Sequence, residues 1–289
     1  MRDRPTSAIA LFVWCLFIYL FILLGRPTPP HISVESTPLD TAGAIGFAAR
    51  AAGISGTFIV ANGDVMTDLN VADLVAFHRR SGAKATISLT PVDDPSQFGI
   101  VETDVDGRVL RFVEKPQPGE TTSRFASAGT YVMEESTLAL MPGTEKLSIE
   151  RVTFPQLVAE GGLFAMATDD YWIDAGRPDT YVQANCDIAA QLRNSADAAV
   201  HADASIASTA IVRDAVVSAR STIGEYAHVS NSVLLDGAVI GNGAVVERSI
   251  VMGSVGNDAR IVDCIVGPTG VVQSGEVSTG GRFPEGENS

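Results

Sequence analysis

The feature that most constrains this chain is a short unit repeated in its carboxyl-terminal third. "IASTAIV" (206 to 212) is echoed by "IGEYAHV" (223 to 229), "IGNGAVV" (240 to 246) and "VGNDARI" (255 to 261), at intervals of 17, 17 and 15 residues. Each unit is aliphatic at its first position, Ala at its fifth and aliphatic at its seventh. A unit this short cannot bury its own apolar face, whereas stacked coils can bury each other's. Intervals near three hexads therefore predict a left-handed β-helix of hexapeptide repeats over about 196–275, with Ile223, Ile240, Val255 and Ile261 inward. Residues 276–289 are Gly-rich and charged, and are expected to be a disordered tail.

Upstream, strand and helix signals alternate from Val34 to about Asn194. "TAGAIGFAARAAG" carries an apolar stripe and stops at Gly53. "FIVANGD" follows as a strand, "VADLVAFHRRSG" as a helix and "KATISLTPV" as a strand. This rhythm predicts an α/β domain over 34–195 built on a mainly parallel sheet. "FGIVETDVDGRVLRFVEKP" reads as a hairpin about Asp106-Gly107. The apolar run Phe58 to Ala61 breaks off at Asn62-Gly63-Asp64, three residues poorly suited to a strand. Ligands of such sheets bind just beyond the carboxyl ends of strands, so Asp64 stands where a metal-bound phosphate would sit. A plain turn is the alternative.

The net charge of −14, from 20 basic and 34 acidic residues with no basic cluster, excludes nucleic acid as a partner. The three cysteines, Cys15, Cys186 and Cys264, lie far apart, which favours a reducing, cytoplasmic setting over a disulfide framework or a zinc site. Residues 1–33 do not fit the rest. Ala8 to Leu24 is uncharged and at the short end of what spans a bilayer, with Arg2 and Arg4 before it. Either residues 8–24 are a real membrane anchor, or residues 1–33 are foreign to the domain, as after a mistaken start.

The ordered motifs "STPLDTAGAI", "VANGDV", "FGIVETDVDGRVLRFVEKP", "SAGTYVME", "SIERVTFPQL" and "YWIDAGRPDTYVQAN", followed by hexapeptide repeats, resemble the sugar-1-phosphate nucleotidyltransferases. Closest are the mannose-1-phosphate guanylyltransferases, also called GDP-mannose pyrophosphorylases. The resemblance implies transfer of a nucleotide from a nucleoside triphosphate to a sugar-1-phosphate, with GTP and mannose-1-phosphate as the expected pair. Thymine or adenine with glucose is the runner-up. It also implies magnesium held by Asp64 and Asp174, with both carboxylates at one sheet edge and Lys115 facing the same cleft. Asp64, Asp174 and Lys115 are thus the expected catalytic residues. Thr41, Ala42, Gly43, Asn62 and Gly63 match the nucleotide-binding positions. Gly99, Glu114, Lys115 and Gly129 match the sugar-phosphate side. For Thr41 the alternative is a helix cap, and for Glu114 and Lys115 an exposed ion pair. Such transfer needs no general base, because the attacking phosphate oxygen is already ionised and the site works by positioning and charge neutralisation.

Two departures bear on activity. The family's glycine-rich loop, of the form GGxGTRLxPLT, has no counterpart in the 289 residues. Its first βαβ unit should then be missing, leaving an exposed sheet edge and an α/β domain that is an incomplete Rossmann-like fold. Asp40 and Ser127 also stand where the family commonly has Gly and Asn. The chain is thus read as an enzyme of the family with impaired turnover, or as a noncatalytic regulatory or scaffold subunit. Its β-helix faces and ends suit contacts in a homo-oligomer. Some hexapeptide proteins are acyltransferases with a histidine between coils, but His228 occupies a variable, outward position in its repeat.

Overall fold

The computed structural model describes residues 18–21, 31–190, 192 and 198–284. The chain divides into two compact units, one ending at Trp172 and the other beginning at Ile173. The first contains strands β1 (Ile18–Phe21), β2 (Phe58–Asn62), β3 (Val65–Thr67), β4 (Ala85–Pro91), β5 (Gly99–Thr103), β6 (Val109–Glu114), β7 (Phe125–Met133) and β8 (Leu163–Ala167), with helices α1 (Asp40–Ala51), α2 (Val71–Ser81) and α3 (Phe154–Ala159).

Local chemistry sets the ends of these elements. Gly53, at φ +63°, stops α1 as the sequence foretells, its N–H donating to Arg50 O at 3.1 Å. Asn70 caps α2 by accepting from Ala72 N, and Gly82 ends that helix in the left-handed region. In the β5–β6 hairpin the Asp104 carboxylate accepts from the N–H groups of Asp106 and Arg108, with Gly107 at φ +81°.

The sheet has the order β1-β2-β7-β4-β8, and β5 and β6 join along β7. It is mixed, not mainly parallel. β2, β4 and β8 point the same way, but only β4 and β8 are adjacent and parallel, because β7 lies antiparallel between β2 and β4. The β5–β6 hairpin turns the chain before β7, so β7 enters from the opposite end. The expected bare edge is also corrected. β1, from within the hydrophobic amino-terminal segment, pairs antiparallel with β2 from Ile18↔Asn62 to Phe21↔Ile59. Its backbone groups thereby pair with those along the outer side of β2. The rest of residues 1–30 lies outside the described residues, Cys15 included. No helix among the described residues is long and apolar enough to cross a membrane.

Strand alternation divides the core between two faces. Phe58, Val60, Tyr131 and Met133 turn toward α1 and α3, packing with Ala42, Ile45, Phe154 and Leu157. Ile59 and Val132 turn the other way, against Leu74 and Val75 of α2.

The second unit begins with strand β9 (Trp172–Asp174) at the division and helix α4 (Pro178–Ala189), then winds five coils from Ser205 to Phe283. Its short strands form three five-stranded parallel sheets, the β-solenoid of a left-handed β-helix. Ile223, Ile240, Val255 and Ile261 are buried, as the repeat requires, and the Ala of each unit from Ala227 to Ala259 is buried at a corner. α4 packs through Val182 and Cys186 on Val233 and Ile250 of one solenoid face. The expected tail is partly a coil, since Val277–Thr279 and Arg282–Phe283 pair with Arg260–Val262 and Ile265–Val266. Residues 285–289 lie outside the described residues. His228 is exposed on a strand, and Cys186 and Cys264 are buried free thiols.

The 15-residue interval also has a structural cause. The chain passes from Val251 to Val255 through a corner two residues shorter than those of its neighbours, and a Cβ at Gly253 would stand 2.2 Å from Gly270 O. Gly253→Ala should therefore destabilise the solenoid by about 1–3 kcal/mol through backbone displacement. Ser218→Ala, at the same corner of a full-length coil, should change stability by no more than about 0.5 kcal/mol. Urea denaturation of the two variants checks the contrast.

Candidate functional site

The antiparallel course of β7 assembles one end of the sheet. Its first six residues run beside the carboxyl ends of β2 and β4, with Ala61 opposite Thr130 and Leu89 opposite Ser127. Ile100 pairs with Ala126, and Gly99 with Glu114, so β5 begins and β6 ends at this same edge. Asn62, Gly63 and Asp64 at the end of β2 therefore share an edge with Gly99, Glu114, Lys115, Ser127 and Gly129. These residues lie far apart in sequence.

Gly129, at φ +73°, admits the Asn62 side chain: a Cβ there would lie 2.8 Å from Asn62 Nδ2. One residue expected on the nucleotide side thus packs on one expected on the sugar side. Lys115 is exposed and stands at φ +49°, a conformation costly for a long side chain. Its N–H donates to Phe98 O at 3.0 Å, which extends the hairpin and holds the ammonium stem at the edge. Trp172 closes one side, with Nε1 donating to Ala128 O at 2.9 Å and its ring edge-on to Phe98.

Beneath lies a group of acids. Tyr131 is buried against Phe154, with its hydroxyl 3.4 Å from Ser127 Oγ. Burial, and then the charges of Glu150, Glu114 and Asp64, push its phenol far above the ordinary tyrosine range. Glu114 is half-buried. Burial raises its carboxyl first and the Glu150 charge second, against the opposing pull of Lys115 and Arg151.

The "TAG" segment is more occupied than the resemblance implies. Thr41 N donates to Asp40 Oδ1, and Ala42 N and Gly43 N both donate to Leu147 O, at 2.8 and 3.1 Å. Thr41 does not cap its own helix, because its hydroxyl accepts from Ile149 N and donates to Glu150 Oε2. Asp40 stands at φ +60°, which explains why a glycine suits this position; Asp is among the few other residues that tolerate it.

Asp64 is exposed beyond β2 in the first unit. Asp174 belongs to the second unit, where one carboxylate oxygen accepts from Gly176 N at 2.8 Å in the turn the sequence allows. Among the described residues, no three His, Cys, Asp or Glu side chains gather as a metal cluster. Magnesium does not demand one, since it keeps several waters and takes one or two carboxylates together with substrate phosphates.

Sequence reasoning missed Glu150, Ser148, Tyr131 and Arg151 as parts of this edge. The signal available was "SIER", in which Ser148 caps the turn Ile149–Thr153 by accepting from Arg151 N.

An open mixed sheet covered by helices, with ligand groups at its strand ends and a hexapeptide solenoid after it, defines a nucleotidyl transferase architecture. Comparison of the sequence agrees: the chain belongs to the nucleotidyl transferase family, whose profile matches residues 27–191, and that of the GlmU-like C-terminal hexapeptide matches residues 184–261. Among similar proteins is the probable mannose-1-phosphate guanylyltransferase 1 of Oryza sativa subsp. japonica, 36% identical over 63% of this chain and 50% of its own length. The mannose-1-phosphate guanyltransferase of Yarrowia lipolytica is 38% identical over 53% of this chain and 42% of its own length. The mannose-1-phosphate guanylyltransferase catalytic subunit beta of Drosophila pseudoobscura pseudoobscura is 33% identical over 62% and 48%. The chain thus spans about half the length of the curated relatives it matches.

The raised carboxyl of Glu114 has a consequence for stability. A folded-state pKa above the unfolded value favours folding most below the unfolded pKa, and that advantage is lost as pH rises through the folded one. Glu114→Gln should therefore raise the melting temperature at pH 7, with the gain shrinking toward pH 4. Thermal melts across that range check it.

Proposed function

We propose that this chain holds the sugar-phosphate side of a nucleotidyl-transfer site, with mannose-1-phosphate as acceptor and GTP as donor. The observation that carries the reading is Glu114 beside Lys115 at the end of β6. A half-buried carboxylate suits sugar hydroxyls, and a cation forced into a strained backbone suits the phosphate. The choice of mannose and guanine is supported by the names of similar proteins, mannose-1-phosphate guanylyltransferases among them.

In the reaction, a phosphate oxygen of the sugar-1-phosphate attacks the α-phosphorus of the triphosphate in line. The bond to the bridging oxygen breaks and pyrophosphate leaves with its electron pair. Glu114 orients the sugar, and Lys115 neutralises the attacking phosphate. Asn62 and Gly63 present the end of β2 to the nucleotide. Asp64, at the end of β2, is the carboxylate of this unit assigned to magnesium, which when bound would neutralise triphosphate charge. Tyr131 stays protonated and neutral beneath the acids, so its hydroxyl can donate a hydrogen bond.

The absence of a glycine-rich phosphate cradle from these 289 residues favours binding over turnover for this chain alone. Loss of even one preorganised donor costs about 10²–10³ in rate, and here the whole set is missing. Calorimetry should show mannose-1-phosphate binding, weakened at least tenfold by Lys115→Ala. Pyrophosphate release from GTP, mannose-1-phosphate and magnesium should stay near background. Robust release abolished by Asp64→Asn would show that another segment replaces the cradle, and absence of sugar-phosphate binding would overturn the reading itself.

A further inference from the structure

Glu150 falls outside every role the resemblance assigns, yet it joins two parts of the edge. Its Oε2 accepts from the Thr41 hydroxyl at 2.9 Å and from the Ser148 hydroxyl at 2.8 Å. Thr41 Oγ1 accepts in return from Ile149 N at 2.8 Å. A carboxylate with two hydroxyl donors is therefore locked between the first turn of α1 and the turn Ile149–Thr153. Hydrogen bonds to a charged acceptor are the stronger kind, so this clamp resists fraying of the helix head. The turn Ile149–Thr153 packs against β6, the strand that ends at Glu114, and from there the Glu150 charge reaches that carboxyl. The other charged groups acting on Glu114 are Lys115, next to it on β6, and Arg151, one residue beyond Glu150. Opposite Glu114 on β5 is Gly99, which brings no charge.

We propose that Glu150 is a positioning residue linking the two halves of the site: it fixes the head of α1 through Thr41, and from the turn packed on β6 its charge acts on Glu114 where that residue would meet a sugar ligand. The second half rests on the reading of Glu114 as acceptor for sugar hydroxyls. Glu150 itself touches no substrate in this arrangement. Its two jobs separate chemically, because an amide can still accept both hydroxyl hydrogen bonds while carrying no charge.

The full chain, free of ligand, is compared with its Glu150→Gln, Glu150→Ala and Thr41→Val variants by thermal melting and by carboxyl-carbon NMR titration of Glu114. Glu150→Gln should move the Glu114 midpoint toward lower pH, because a like charge has gone, while lowering the melting temperature by less than Glu150→Ala does, because the amide keeps both hydrogen bonds in their weaker, neutral form. Glu150→Ala should move the midpoint in the same direction and lower the melting temperature by roughly 3–6 °C. Thr41→Val should lower the melting temperature and leave the midpoint in place. Calorimetry of mannose-1-phosphate across the same pH range should show the acid limb of binding following the midpoint in Glu150→Gln. An unmoved midpoint in Glu150→Gln, or equal melting of the Gln and Ala variants, overturns the proposal. If the wild type binds no sugar phosphate while midpoint and melting behave as stated, the clamp and its charge stand and the sugar-phosphate reading falls.

Discussion

The first unit depends on how the head of α1 is docked. The opening N–H groups of a helix have no partner within it and must find one elsewhere. Here Ala42 and Gly43 give theirs to Leu147 O, while Leu147 N donates to Leu39 O and Ile149 N to Thr41 Oγ1. At the other end of α1, Arg50 donates to the carbonyls of Met141 and Pro142. The segment 141–150 is thus laced along the helix. Once laced, it delivers Phe154 to the core, where the ring meets Phe112 and Tyr131. The floor of the candidate site is therefore a consequence of capping a helix with a distant irregular segment.

The site charges the fold for its chemistry. Acids gather around Tyr131, Lys115 sits in a backbone conformation few lysines adopt, and Glu114 is partly withdrawn from water. Each feature is unfavourable alone, and together they single out this edge as the candidate site. The bulk of the stabilisation comes from elsewhere, from apolar layers on both sheet faces and from the solenoid's separate interior.

The solenoid repeats one solution. Aliphatic side chains stack inward in register, as in Ile206, Ile223, Ile240, Val255 and Val272. Small polar groups line the corners in ladders of their own: Asn242 accepts from Glu225 N and Asn257 from Asn242 N. Inside another corner, Ser232 accepts from Ser249 N and Ser249 from Cys264 N. Every coil thereby satisfies backbone donors of its neighbour, which is why a single shortened corner at Gly253 can be absorbed without breaking the stack.

Much of this was legible in the sequence because it depends on neighbours along the chain. The heptapeptide echoes set the solenoid and its inward residues, Gly53 set the end of α1, and Asp106-Gly107 set the hairpin. The direction of β7 was not legible, since the alternation of strands and helices says nothing about which strands become adjacent. Nor was the pairing of Ile18–Phe21 with β2, because an apolar run is read alike as an anchor or as a strand. The motifs marked Asn62, Glu114, Lys115 and Gly129 as candidates. Only the tertiary structure decided that Asn62 fills the space Gly129 leaves, that the first-turn donors of α1 are already taken, and that the Glu150 carboxylate accepts from the Thr41 hydroxyl. The reason is physical: hydrogen bonds and fields act through space, and the chain's order along the sequence does not record which distant groups folding will bring within their reach.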